Sequence, residues 1–331
     1  MVRECGEPGE VLRWEDMPVP RPAAGQLRVR VAATSCNFAD VLLCRGDYQQ
    51  KPDPPFTPGL ELCGVVEAVG ADADPGLIGT RVVGQPVLPH GGFAEVAVLD
   101  AADAFGVPDE VDDTAAATLH LTYLTAWLGL HRRAAVQAGD VVVVTAAAGG
   151  VGSAAVQVAR AAGAKVIGIA SGATKVETVR RLGADLALDG TSADAIARVR
   201  DFAPAGADIV FDPVGGSAYE AATKYIAFEG TIVVVGFASG TIPTPRLNHA
   251  FVKNYTIAGL HWTLYRRQNP ALIARAQAEI FALAAEGTID PLITECVGID
   301  HVPTALDNLA GGRTRGKTVI RTDPEHLRFI R

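Results

Sequence analysis

The residues most suited to chemistry in this 331-residue chain stand close together in its middle third: Ala147-Ala148-Gly149-Gly150-Val151-Gly152. A valine run at 141–145 precedes them and an alanine-rich helical pattern at 151–162 follows. Small residues in this strand–turn–helix context let the backbone approach a pyrophosphate closely, and the helix start then offers free N–H groups and the positive end of its dipole. The run is a dinucleotide fingerprint with its first glycine replaced by Ala147. A glycine turn on its own is explained equally well by packing. The βα units that follow are what favour a nucleotide.

The tip of the next strand decides which nucleotide. An NAD enzyme places Asp or Glu about 20 residues beyond the glycines, against the ribose 2′-hydroxyl. Here that stretch reads Ala170-Ser171-Gly172-Ala173-Thr174-Lys175 and holds no carboxylate. Ser171 can donate a hydrogen bond and Lys175 can pair with a 2′-phosphate, so NADPH is the expected cofactor. The plainer role for Lys175 is a surface lysine in the first turn of a helix.

Other chemistries find little material. The formal net charge of −8 leaves no basic footprint for a nucleic acid. The five cysteines form no CxxC pair and no disulfide framework, as expected of reduced thiols. No nucleophile elbow and no Ser-His-Asp arrangement stands out. The amino terminus, Met1-Val2-Arg3-Glu4, lacks the apolar core of a signal peptide, and three glycines break the stretch that could mimic a membrane span, 141–159. No membrane span and a cytoplasmic location are expected.

These residues need elements to hold them. The first hundred residues read as β, with an alternating strand at 26–31, apolar runs at 62–69 and 93–99, and prolines marking the loops. Near residue 112 the composition turns alanine-rich. Strands at 141–145, 166–170, 186–188, 208–211, 231–235 and 256–260 then alternate with helices at 151–162, 175–182, 193–202 and 219–228. Near-continuous apolar strands separated by helices predict a parallel sheet covered on both faces. A helix at 270–286 and a strand at 317–321 complete the expected α/β chain. The expected divisions are 1–115, 116–262 and 263–331, the last returning to the first domain.

Several stretches in family order resemble the quinone oxidoreductase branch of the medium-chain dehydrogenases/reductases. They are Asn37-Phe38-Ala39-Asp40, Phe56-Thr57-Pro58-Gly59-Leu60-Glu61, Gly91-Gly92-Phe93-Ala94-Glu95, the Ala147–Gly152 turn, Asp212-Pro213-Val214-Gly215-Gly216 and Gly236-Phe237-Ala238-Ser239-Gly240. The resemblance implies a GroES-like β-rich catalytic domain plus a Rossmann doubly wound parallel-sheet domain. It places Asn37, Asp40, Tyr48 and Thr122 around the reacting groups. Thr125, Ala148, Gly149, Gly150, Val151, Gly152, Ser171, Lys175, Val214, Gly236, Phe237 and Lys317 are the cofactor contacts it implies. The nicotinamide is expected in the cleft between the domains, and the edge strand at 256–260 is expected to pair in a homodimer.

Two departures from the alcohol dehydrogenases of the same superfamily matter. Their catalytic zinc is held by a Cys on the segment occupied here by Asn37 and by the His of a Gly-His-Glu that reads here Gly59-Leu60-Glu61. Their structural zinc needs four cysteines, and residues 80–92 contain none. The expected activity is therefore metal-free, NADPH-dependent reduction of quinones or activated alkenes. Related readings are an acrylate or enoyl-thioester reductase and, from another class, a non-catalytic NADPH-binding protein of the lens-crystallin or RNA-binding kind. His261, Trp262 and Tyr265 follow the sixth strand and could line the pocket mouth, although a His beside a Trp at a strand end is more often structural.

Overall fold

A computed structural model describes residues 1–322, so the last nine residues of the expected 263–331 segment lie outside the described residues. The chain forms two compact units, Met1–Leu121 together with the chain from Ile293 onward, and Thr122–Leu292.

The first unit is built on a seven-stranded sheet, most of it antiparallel. Its order is Ile293–Gly298, Lys317–Arg321, Gln26–Ser35, Leu62–Val69, Arg81–Gly84, Ala104–Gly106, with Val96–Asp100 also paired to Gln26–Ser35. The alternation legible at residue 26 produces one buried face. Leu27, Val29 and Val31 pack against Leu62, Val66, Val82, Ala97 and Leu99, while Arg28 and Arg30 turn outward to Glu67. The strand expected at 93 begins only at Val96, because Gly91, Gly92 and Phe93 donate backbone hydrogen bonds to Thr57, Gly59 and Pro58. A short helix, Phe38–Arg45, interrupts this β region. It ends at Gly46, whose φ of 75° is the left-handed conformation suited to a helix stop.

The second unit holds a six-stranded parallel sheet in the order Thr256–Gly259, Ile226–Val234, Ala207–Asp212, Val141–Val144, Lys165–Ala170, Leu186–Asp189. The helices Gly150–Ala161, Ala173–Arg181, Ala195–Phe202 and Gly216–Tyr225 connect these strands. Val142, Val143 and Val144 are fully buried, which is why the run shows no alternation. The strand order reverses between Val141–Val144 and Ala207–Asp212, the switch point at which such sheets take ligands. One helix lies earlier than expected: Gly216–Tyr225 ends at Tyr225, and Phe228 belongs to the strand Ile226–Val234.

The boundaries also differ from the expected ones. The helix Pro270–Ala285 stays with the second unit. Trp127 Nε1 donates to Glu279 at 2.9 Å, and Gln157 exchanges two hydrogen bonds with the backbone of Asp290, at 2.7 and 2.6 Å. The chain therefore returns to the first unit at Ile293 and not near residue 263.

Candidate functional site

In the first unit a cluster of polar side chains lies where the strands Gln26–Ser35, Leu62–Val69 and Lys317–Arg321 meet. Glu61 is fully buried at its centre. One carboxylate oxygen accepts from the Ser35 hydroxyl, from Asn37 Nδ2 at 2.9 Å and from Lys317 Nζ at 2.9 Å. The other accepts from the backbone N–H of Leu121 at 2.8 Å. Burial alone would raise this carboxyl, but the Lys317 charge and the hydrogen bonds outweigh it and hold Glu61 below the usual range. Lys317 Nζ has two further partners, Asn37 Oδ1 at 2.6 Å and the Cys36 carbonyl at 3.0 Å.

Asn37 begins the helix Phe38–Arg45, and Asp40 in its first turn accepts the Asn37 N–H at 2.9 Å. The other Asp40 oxygen accepts the Gly59 N–H at 3.0 Å. Gly59 has a φ of +107°, and a Cβ there would stand 2.5 Å from the Phe93 nitrogen, so this turn requires glycine. Burial pushes Asp40 up to about 7, against the pull of those N–H groups and of Lys317.

These contacts change the roles expected for three residues. Both amide protons of Asn37 are used inside the cluster, on the Ser35 carbonyl at 3.1 Å and on Glu61. Asn37 and Asp40 are expected beside the nicotinamide, yet the structure buries both as braces of the turn. Lys317 was expected at the cofactor, yet its three donors are spent on Glu61, Asn37 and Cys36. Tyr48 is half-buried and packs on the apolar cluster around Val41, Leu43 and Phe56.

The same contacts bear on zinc. At the two positions where zinc-dependent relatives carry ligands stand an amide already bonded to an ammonium and Leu60, a fully buried hydrocarbon. Glu61 is neutralised by Lys317. This donor set does not fit a zinc ion. Among the described residues no three His, Cys, Asp or Glu side chains are grouped as metal ligands.

The second unit carries the turn read from the sequence. Ala147 N–H bonds to the Ile169 carbonyl at 2.9 Å, and Gly149 N–H closes back on Ala146 at 2.9 Å. The helix Gly150–Ala161 follows, so Gly150, Val151 and Gly152 lie in its first turn, where N–H groups have no partner within the helix. A Cβ on Gly152 would stand 2.2 Å from the Ala146 carbonyl oxygen, so this position must stay glycine for the turn to close. Gly149 and Gly150 are half-buried, while Ala148 is buried behind them.

The neighbouring strand supplies a second turn, anchored by a carboxylate to which the sequence reading gave no role. Asp212 accepts from Thr145 Oγ1 at 2.7 Å, from Val214 N–H at 3.0 Å and from Gly215 N–H at 3.2 Å. A third turn leans on it: the N–H groups of Ala238 and Ser239 donate to the Pro213 and Val214 carbonyls at 3.1 and 3.0 Å. The structure thus brings Val214, Gly236 and the exposed Phe237 together at the strand ends. Ser171 is exposed, and Lys175 lies half-buried in the first turn of Ala173–Arg181. Thr122 and Thr125 are buried on the helix Leu121–Trp127.

Residues 23–109 match the alcohol dehydrogenase GroES-like domain, and residues 150–279 match the family described as zinc-binding dehydrogenase. The quinone oxidoreductase-like protein 2 homolog of Nematostella vectensis is 38% identical over 323 residues, spanning 96% of this chain and 88% of its own. The chain belongs to the quinone oxidoreductase family of medium-chain dehydrogenases/reductases. It is thus an oxidoreductase with a GroES-like N-terminal domain and a Rossmann-like parallel-sheet domain. Among solved structures, the quinone oxidoreductase of Escherichia coli complexed with NADPH superposes with a TM-score of 0.90 at 26% identity, covering 97% of this chain and 98% of that one. A mycobacterial protein complexed with NADPH gives 0.88 at 31% identity over the same shares. Among the described residues no helix is long and apolar enough to cross a membrane.

Proposed function

We propose that the chain is an NADPH-dependent reductase acting on quinones or other activated alkenes without zinc. The observation that carries this reading is the strand–turn–helix at the switch point of the sheet, where small residues and unpartnered helix N–H groups are joined by the Asp212-anchored turn. The first helical turn at Gly150–Gly152 would hold the pyrophosphate, and Ser171 and Lys175 the 2′-phosphate. Val214, Gly236 and Phe237 would flank the dinucleotide, and Thr122 and Thr125 its nicotinamide end. Bound reduced nicotinamide supplies a hydride to an electron-poor carbon or quinone.

As charge grows on the acceptor oxygen, a hydrogen-bond donor must meet it. With both Asn37 protons committed elsewhere, Tyr48 is the donor in this reading, while Asn37, Asp40, Glu61 and Lys317 brace the turn at Gly59 and the start of the helix Phe38–Arg45. Quinones and conjugated enones delocalise the new charge themselves. Alcohol oxidation lacks that help and wants a Lewis acid, for which this donor set has no place. NADPH oxidation against quinones, enones, acrylates and aldehydes, with and without a strong chelator, tests the proposal. Turnover of a quinone or enone that ignores the chelator is expected. Alcohol oxidation abolished by the chelator would overturn it.

The same reading includes a homodimer. The strand Thr256–Gly259 is the last of its sheet, and the helix Leu247–Lys253 just before it leaves Leu247, Phe251 and Val252 more than 70% exposed. Sedimentation at micromolar concentration should give a dimer, and a monomer there would remove this part of the reading.

A further inference from the structure

The tip of the second strand carries no carboxylate of its own, but the fold brings one from the third. The strand Leu186–Asp189 lies parallel to Lys165–Ala170, with Asp189 opposite Ala170. The chain continues in step, since Gly190 N–H donates to the Ala170 carbonyl at 2.9 Å. Asp189 Oδ2 accepts the Gly172 N–H at 3.2 Å, and Oδ1 accepts the N–H and hydroxyl of Thr191 at 3.0 and 2.7 Å. Gly172, with a φ of 83°, is the residue from which the helix Ala173–Arg181 starts. The Thr191 and Gly172 donors hold this carboxyl below the usual range, so it is ionised at neutral pH.

We propose that Asp189 is a specificity-determining residue that restrains the preference for NADPH over NADH. Its carboxylate occupies the Gly172 N–H, a donor that a 2′-phosphate on Ser171 and Lys175 would otherwise take. It also places a fixed negative charge beside that phosphate. NADH carries a neutral ribose hydroxyl there and meets no charge repulsion. The inference rests on the dinucleotide reading above, because it assigns Asp189 a role only toward the adenosine ribose.

The experiment measures dissociation constants of NADPH and NADH for the full chain, by fluorescence or calorimetry, with no acceptor present. Asp189→Asn keeps an oxygen for the Gly172 N–H while removing the charge, and Asp189→Ser removes the charge and most of the side chain. Both variants should tighten NADPH roughly fivefold, the size of a repulsion between two charges about 4 Å apart in water-like surroundings. NADH should change less than about twofold, and the gain should shrink as salt screens the charge. Asp201→Asn, an exposed acid on the helix Ala195–Phe202, controls for net charge and should alter neither constant. If both dinucleotides bind but their ratio stays fixed in both Asp189 variants, the inference is overturned. If wild type binds neither dinucleotide, the nucleotide reading itself falls and takes the inference with it.

Discussion

The polar clusters of the two units solve opposite problems. In the first unit, Ser35, Asn37, Asp40, Glu61 and Lys317 form a cluster no more than 5% exposed, in which ions are neutralised and amide protons spent. In the second, the turn at Ala146–Gly152 is nearly free of side chains, and its chemistry lies in backbone N–H groups left without partners. One region is closed, pairing its polar groups within itself; the other is open, presenting helix N–H groups that have no partner within the helix. Polarity alone therefore does not mark a binding site. The unsatisfied donor marks it, and a buried charged cluster with every partner present marks a scaffold.

The largest effect should come from breaking the closed region. Lys317→Met leaves Glu61 as a buried charge without its counter-ion, and Glu61→Gln leaves the ammonium in the same position. Removing one partner of such a pair costs about 3–5 kcal/mol, so both variants should lose that much in denaturant titrations. The double variant should recover a large part of it. Additive losses would mean that the two side chains do not depend on each other. NADH affinity, set in the other unit, should be unchanged wherever the variants remain folded.

Asp40 gives this cluster a pH dependence. Its folded pKa of about 7 lies above the unfolded value, so the folded state holds the proton more tightly. Stability therefore falls as pH rises from about 4 to about 7, by at most about 1.4 kcal/mol per pH unit from one proton. Asp40→Asn cannot titrate and should flatten that part of the profile. A wild-type profile that rises over this interval, with the variant parallel to it, would contradict the assignment.

The same contrast explains what was legible in the sequence. The open region is local: its glycines stand within four residues, and the steric demand of a close turn shows in the residue types themselves. The parallel sheet was legible because fully buried strands must be apolar throughout. The closed region is assembled from positions 35, 37, 40, 61 and 317, with the Lys317–Glu61 pair spanning 256 residues. No period or spacing announces it, so Asn37 and Lys317 read as free to bind ligands. A local sign did exist, since Asn followed three residues later by an acid is a helix-start pattern that points to Phe38–Arg45. Asp189 was missed for a different reason. It lies 19 residues beyond Ala170 in the chain, and only the sheet places the tips of the two strands side by side.

Tyr48 is half-buried against the apolar cluster of Val41, Leu43 and Phe56 in the first unit. If its hydroxyl meets the developing charge, Tyr48→Phe should lower turnover by about 10²–10³, the cost of losing one such donor. KM for NADPH should stay near the wild-type value, because the loss falls on the chemical step. Asn37→Asp, which keeps the shape but places a second acid beside Glu61, should instead reduce stability. Full activity in Tyr48→Phe with every acceptor would remove Tyr48 as the donor and return that role to water.

The smallest effect tests the open region at its rim. Lys175 stands in the first turn of Ala173–Arg181, on the element that Asp189 anchors from the neighbouring strand through Gly172. A lysine here can pair with a 2′-phosphate as a point charge, yet solvent screens it and a carboxylate lies close by. The attraction should be worth only about 1 kcal/mol, the upper end for an exposed pair. Lys175→Ala should therefore weaken NADPH by about fivefold and leave NADH nearly unchanged. The two residues act on the same phosphate with opposite signs, so Lys175→Ala combined with Asp189→Asn should return the cofactor ratio close to wild type. Deviation from that sum measures how strongly the two side chains feel each other directly. Should Lys175→Ala weaken both dinucleotides alike, the lysine supports the fold of the rim and reads nothing on the ribose.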